Sequence, residues 1–392
     1  MKKKILSLML TLALILSLIP AFTLTASAAG TIHYVKESGA GSYDGTSWDD
    51  AFHSLQAALA AAADGDIIFV AKGTYTQTAE YLLDSKDIKI YGSFDGTESS
   101  LDERTFAAGH SSVLEAGGTC RVFSLNNCTN ATVIDGFKIT GGSGDEGGGI
   151  RNQNSSPVLA NLTISGNTAT TNGGGMYNIA SSSPVLTNVT ISGNTVSSGT
   201  GGGIFNTNSS PVLTNVTISS NTSTQDGGGM ANADSSPVLT NVIISTNTGG
   251  SGGGMANDNS SPVLTNVTIS GNSADLDGGG GILSVNNSSP VLYNSIVAGN
   301  NAAYNGDEVY NLINSAPVYN HSLVVGVTTA DANGNIDGIG ITATDIFANP
   351  TSSDYTLASD SPAIGVGSTD YWTVNTHTQL GGKTLFNYLG SD

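Results

Sequence analysis

Seven prolines recur at an almost constant interval. Pro157, Pro184, Pro211, Pro237, Pro262, Pro290 and Pro317 stand 27, 27, 26, 25, 28 and 27 residues apart. Each belongs to one copy of a phrase that is clearest as Gly173-Gly174-Gly175-Met176-Tyr177-Asn178, five linking residues, and then Pro184-Val185-Leu186-Thr187-Asn188-Val189-Thr190-Ile191-Ser192-Gly193-Asn194. One such copy is too short to bury its own apolar face, so the copies must stack on one another as a solenoid. Val189 and Ile191 share one parity and point inward, which leaves Thr190 and Ser192 outward. Three short strands follow from the phrase: the Gly-Gly-Gly-(Met/Ile)-x-Asn strand, the Pro-Val-Leu strand and the Asn-x-Thr-Ile-Ser-x-Asn strand. Proline opens the second, where its missing N–H falls at the start of pairing. Three strands of this length, each stacked on its equivalent one coil later, predict an all-β, right-handed parallel β-helix.

Asparagines keep fixed places in every copy: Asn161, Asn188, Asn215, Asn241, Asn266 and Asn294 before the last strand, and Asn167, Asn194, Asn221, Asn247, Asn272 and Asn300 after it. Asn accepts left-handed backbone geometry and bonds to nearby backbone, and stacked amides can bond to each other up the solenoid. Their expected role is structural.

An open solenoid end leaves apolar side chains and strand edges in water, so a cap is expected at each end. Residues 29–112 fit the first. Thr31 to Val35 alternates as a strand. Ser47, followed by Asp49 and Asp50, can start a helix that Ala51 to Ala63 continues, with Phe52, Leu55, Ala58, Leu59 and Ala62 on one face. Strands Ile67 to Ala71 and Ile88 to Tyr91 follow. Residues 113–325 are read as the coils, and 326–392 as terminal coils and a C-terminal cap in which Trp372 and Phe386 cover the last layer. Residues 1–28 read as a signal peptide: Lys2 to Lys4 are basic, Ile5 to Leu24 mostly apolar, and Ala26-Ser27-Ala28 suits cleavage. The mature chain is therefore expected to be secreted, extracellular or at a bacterial cell surface, without membrane insertion.

Removing that segment takes three of twelve Lys and Arg and no acid, which moves the formal net charge from −19 to −22. After Arg151 the next basic residue is Lys383. Such a body repels phosphate backbones, and nucleic acid is excluded as a partner. Cys120 and Cys128 are the two cysteines; a short disulfide loop and two unpaired thiols fit equally well.

The tract His33-Tyr34-Val35…Asp64-Gly65-Asp66-Ile67-Ile68-Phe69-Val70-Ala71-Lys72-Gly73-Thr74-Tyr75…Tyr91-Gly92-Ser93-Phe94-Asp95-Gly96-Thr97-Glu98…Asp102-Glu103-Arg104 resembles the entry of secreted bacterial pectate-lyase-like β-helix proteins. The Gly-Gly-Gly-(Ile/Met)-x-Asn repeats resemble those of polymorphic outer-membrane protein adhesins. The resemblance implies the β-helix fold, and its families span adhesins and polysaccharide lyases. A lyase of this kind, as the resemblance implies, uses a Lys or Arg base with calcium or another cation on the substrate. Arg151 and Lys138 could form a minimal pair. A glycoside hydrolase needs two facing carboxyl groups, yet the outward rank of the Gly-rich strand reads Arg151, Tyr177, Phe205, Ala231 and Ala256.

The acids lie in turns: Asp145, Glu146, Asp226, Asp275, Asp277, Asp307 and Glu308 before that strand, Asp234 and Asp258 after it. Asp275 and Asp277 could approach Asp307 one coil later. No cofactor is expected; calcium is the one these acids could take, with Asp226, Asp275, Asp277 and Asp307 as candidate ligands. Five histidines are scattered and suggest no metal site. Tyr177 and Phe205 should neighbour each other on an outer face, where aromatics can stack on sugar rings; with Arg151 they form the candidate ligand-binding set. Outward Thr163, Thr190, Thr217 and Thr268 resemble an ice-binding rank, but β-propensity explains them and Ile243 interrupts the row. The expectation is a non-catalytic surface or extracellular protein that adheres to, or binds, a glycan or a host or cell-surface component. The alternative is a β-helix polysaccharide lyase or glycoside hydrolase.

Overall fold

The structure is a computed structural model that describes residues 30–38, 41–107, 109–327 and 333–368. The expected signal peptide, Trp372 and Phe386 lie outside the described residues. No helix among the described residues is long and apolar enough to cross a membrane.

The coils form as the repeat requires. In the copy from Gly173, Met176–Ile179 makes the Gly-rich strand, Val185–Ser192 the next, and Thr195–Val196 a short third. Each pairs in parallel with its equivalent one coil on: Tyr177 with Phe205, Leu186 with Leu213, Ile191 with Ile218, Thr195 with Thr222. The Gly-rich strands build a nine-strand sheet, from Tyr81–Asp84 to Val309–Asn311. A seven-strand sheet runs from Ser143–Glu146 through Thr168–Asn172 into two-residue strands, and an 18-strand sheet, here the long sheet, holds the remaining coil strands. Inward Met176, Leu186, Val189, Ile191 and Val196 are at most 1 % exposed, so alternation gave the core correctly.

The division into strands differs from the expectation. The Pro-Val-Leu and Thr-Ile-Ser strands are halves of one sheet and run unbroken in three coils, Val185–Ser192, Val212–Ser219 and Val238–Ser245. A single left-handed residue bends each, Asn188 at φ 56° and its equivalents. The third sheet instead follows the second asparagine, in Ser/Thr-rich residues too short to show a period.

Amide ladders run through the interior. The Asn194 backbone N–H and Nδ2 both donate to Asn221 Oδ1, at 3.0 and 2.9 Å, and Asn194 Nδ2 also donates to the Ile164 carbonyl at 2.9 Å. The same pattern continues through Asn247, Asn272 and Asn300. A second ladder links Asn152, Asn178, Asn206, Asn232 and Asn257 at 2.7–2.9 Å. Buried amides matched in this way avoid the penalty of unpaired polar groups. The ladder also explains the third glycine of each triplet. A Cβ on Gly203 would sit 2.5 Å from the Gly229 carbonyl oxygen and 3.0 Å from Asn221 Nδ2.

The N-terminal helix is shorter than expected, Leu55–Ala61, and Ser54 rather than Ser47 caps it by accepting from the Ala57 N–H at 3.2 Å. Ser47 and Asp50 are held in the preceding loop, where Asp50 accepts from the Ser42 N–H at 2.8 Å. Phe52 belongs to a bridge with Val35, its N–H donating to the Tyr34 carbonyl at 2.8 Å. Leu55, Ala58, Leu59 and Ala62 are buried as expected. The strand foreseen at Ile88 to Tyr91 is Lys89–Phe94. Cys120 and Cys128 are both free thiols, and burial pushes Cys128 up from its ordinary value.

Residues 343–357 do not extend the coils. The helix Ala343–Ile346 and the antiparallel pair Phe347–Asn349 and Asp354–Leu357 lie against the outside of the long sheet. Ile346, Phe347, Tyr355 and Leu357 pack there with Ile296, Ala298 and Ile243. Ile243 thus breaks the threonine rank because an apolar partner covers it. Ile243→Thr should restore the rank and weaken this contact by about 1 kcal/mol. Limited proteolysis should then cut within residues 333–368 faster than in the parent; an unchanged rate would refute the assignment.

Candidate functional site

A groove of about 320 Å³ opens on the outer side of the long sheet at its first regular coils. Its floor comes from the strand Phe137–Thr140, which points Lys138 outward, and from the bends at Asn161 and Asn188, with Thr163 and Thr190 beside them. Its far wall is a loop that carries Phe106, Ala107, His110 and Ser111.

Two charge pairs fix that loop. Arg104 donates through Nη2 to Asp135 Oδ2 at 3.1 Å and through Nη1 to the Gly92 carbonyl at 3.3 Å. Its guanidinium lies 5.2, 5.6 and 5.1 Å from the ring centres of Tyr91, Phe94 and Phe106, within cation–π reach. At the other end His110 Nδ1 meets Asp95 Oδ1 at 2.9 Å, and Lys72 Nζ reaches the same oxygen at 2.7 Å. The Lys72 hydrogen bond first, and then the His110 charge, hold the Asp95 carboxyl below the usual carboxylate range. Phe106 remains 55 % exposed at the lip.

From the groove a solvent-facing amide ladder runs along the bend. Asn161 Nδ2 donates to Asp135 Oδ1 at 2.9 Å, and Asn188 Nδ2 to Asn161 Oδ1 at 3.3 Å. Asn215, Asn241 and Asn266 continue it, each donating to the preceding amide at 3.2 Å. Asn294 ends the row differently, exchanging two 2.9 Å bonds with the backbone of Ser368.

The aromatic pair foreseen from sequence is present but covered. The rings of Tyr177 and Phe205 stack 5.5 Å apart and 4° from parallel. Tyr177 is only 4 % exposed and Phe205 half-buried, so the rank is not the open platform expected. The Gly-rich turns fold back along it: a Cβ on Gly201 would lie 2.7 Å from Phe205 Cβ. Burial pushes the Tyr177 hydroxyl up to about 12, with Glu146 adding and Arg151 opposing. Arg151 pairs with Tyr177 in the nine-strand sheet and meets Glu146 at 3.5 Å, whereas Lys138 stands on the long sheet. The two bases are not brought to one face.

The turn acids are dispersed in their contacts. Asp275 accepts from Ser273 Oγ at 3.0 Å, and Asp307 from the Ala302 N–H at 2.9 Å. Loss of solvation raises the Asp226 pKa, and the charges of Asp258 and Asp277 add to it, although the residue as a whole is exposed. Among the described residues, no three His, Cys, Asp or Glu side chains are grouped to hold a metal ion.

Sequence reasoning missed His110, Phe106 and the groove itself. Asn161, Asn188 and Thr190 were visible as repeat positions only, and no local pattern connects them to residues 104–111.

No curated protein sequence matches the chain. Residues 186–345 match the family model described as "Right handed beta helix region". Among solved structures, pectate lyase Pel9A superposes with a TM-score of 0.55 at 15% identity, covering 89% of this chain and 94% of that one. A rhamnogalacturonan lyase gives 0.41 at 12% identity, covering 91% and 100%. Pectin methylesterase PemA from Erwinia chrysanthemi gives 0.38 at 12% identity, covering 83% and 98%. Scores this low for the last two support no inference, and the first bears on architecture alone. The chain therefore has the right-handed parallel β-helix fold that pectate lyase Pel9A also has.

Proposed function

We propose that this chain is an exported, non-catalytic β-helix protein that binds carbohydrate, and thereby adheres, through the groove at Phe106, His110, Lys138, Asn161 and Asn188. One observation carries the reading: an exposed aromatic lip stands over a floor of amide and hydroxyl groups that leads into a solvent-facing amide ladder. An apolar ring face beside convergent polar groups is what a sugar needs, since its C–H face stacks and its hydroxyls bond. The shared fold with a pectate lyase is compatible with this role.

Phe106→Ala should weaken retention in polysaccharide-containing native gels about tenfold, equivalent to about 1.4 kcal/mol. Tyr177→Ala should leave retention unchanged, because its ring is covered. Loss on Tyr177→Ala with none on Phe106→Ala would move the site back to the Gly-rich rank.

A second reading rests on His110, which lines the groove with Lys138 and has Asp95 on its Nδ1. An imidazole oriented by a carboxylate can act as a general base, so the groove would then cleave its glycan. Released reducing or unsaturated sugar, abolished in His110→Gln, would establish catalysis.

A further inference from the structure

The charge pattern around the groove limits what can lie in it. Lys138 is the one lysine or arginine among the described residues that line it. Arg104 is committed to Asp135, while His110 and Lys72 share Asp95. Beyond the groove, from Val158 onward, the strands of the long sheet carry no charged residue. Each ladder amide there uses one N–H on its neighbour and keeps a second, and each accepting oxygen keeps a second lone pair. Outward Thr187, Thr214, Thr240 and Thr265 flank the ladder on one side; Thr190 and Thr217 flank it on the other, until the segment packed on Ile243 and Ile296 covers that flank. The strip therefore offers neutral donors and acceptors coil after coil, about 4.8 Å apart, as far as Asn266, whose Oδ1 is buried. It runs from the groove for roughly 20 Å, until the Asn294–Ser368 contact closes it.

A chain of hydroxyl-bearing sugars matches that inventory. A polyuronate does not: it brings a carboxylate with each sugar into the field of a strongly acidic protein, with one unpaired cation in reach. We infer that the ligand is an uncharged, unbranched polysaccharide lying parallel to the solenoid axis, from the groove towards Asn294. This rests on the carbohydrate-binding reading above.

The test is affinity electrophoresis of the full chain in gels containing a neutral linear polysaccharide (β-1,4-galactan, soluble β-glucan or xylan) or polygalacturonate. Each is run at low salt and at about 0.5 M NaCl, where surface charges are screened within a few ångströms. The inference expects retention by a neutral polymer, insensitive to salt. It also expects about threefold weaker retention in both Thr190→Val, at the groove, and Thr265→Val, well beyond it. Retention by polygalacturonate that fades with salt and with Lys138→Ala would overturn the neutral ligand while leaving carbohydrate binding in place. Neutral retention weakened by Thr190→Val and not by Thr265→Val would overturn the axial placement. Retention by no polymer would overturn this inference and the reading beneath it together.

Discussion

Asn221→Ala is expected to lower the unfolding free energy by about 4 kcal/mol, read as a shift of the denaturant midpoint. The Asn221 carboxamide oxygen accepts from the Asn194 backbone N–H and from Asn194 Nδ2, and its own Nδ2 donates to the Ile191 carbonyl and Asn247 Oδ1. Alanine leaves both Asn194 donors facing a fully buried site, and each unpaired buried group costs about 1–3 kcal/mol. The control is Asn188→Gly on the solvent-facing ladder. Glycine keeps the left-handed bend at φ 56°, and water replaces the lost amide, so the cost should stay below about 1 kcal/mol. Equal losses in the two variants would mean that the interior ladder is no more important than the surface one.

The second large effect is a pH dependence set by Glu308. It occupies the place of the third glycine in the last Gly-rich copy, where Gly281 stands one coil earlier. Among the described residues no asparagine rung follows Asn300, and the Glu308 carboxylate terminates the ladder instead. Oε2 accepts from Asn300 Nδ2 at 2.6 Å and Oε1 from the Gly299 N–H at 2.7 Å. Burial pushes the Glu308 pKa from 4.5 up to about 7, against those hydrogen bonds. A carboxyl with a raised folded pKa binds its proton more tightly in the native state. Its stabilising contribution is therefore complete below the unfolded value of 4.5 and is lost as pH rises through about 7. The loss amounts to about 3 kcal/mol. Glu308→Gln cannot titrate, so the parent-minus-variant difference in stability should fall by that amount between pH 4.5 and pH 8 or so. Taking the difference removes the carboxyls held low elsewhere, such as Asp87 and Glu98, which titrate below this window. A difference independent of pH would show that Glu308 is ionised throughout.

Much of the coil could be read in advance because its constraints are local and repeated. Leu186, Val189 and Ile191 face inward by alternation, and a stacked solenoid is the one way to cover such short apolar faces in every copy. The asparagine rows were legible for the same reason, since equal spacing places equal side chains one above another. The bend at Asn188 was not, because a left-handed residue inside a strand looks like a turn between two strands. The helix start was misplaced at Ser47 because Ser47, Asp49 and Asp50 carry a good capping pattern. The loop contacts of Asp50 and the pairing of Phe52 with Val35 outweigh it.

The candidate site was the least legible part. Tyr177 and Phe205 do stack one coil apart, as their spacing requires, yet the turns fold over them and bury the platform. The groove depends on Arg104 reaching Asp135, 31 residues on, and on Asp95 holding His110. Neither pair leaves a mark in a periodic pattern.

The sequence by itself determined the architecture: the period, the inward residues, the glycines beside the amide ladder and the acidic, cation-poor body. Each follows from short-range geometry copied many times. Tertiary structure alone decided which faces stay open. The loop at Phe106 leans over one end of the long sheet, and the segment packed on Ile243 and Ile296 covers the other. Those choices arise from single contacts between distant, unrepeated segments, whose energies no local period encodes.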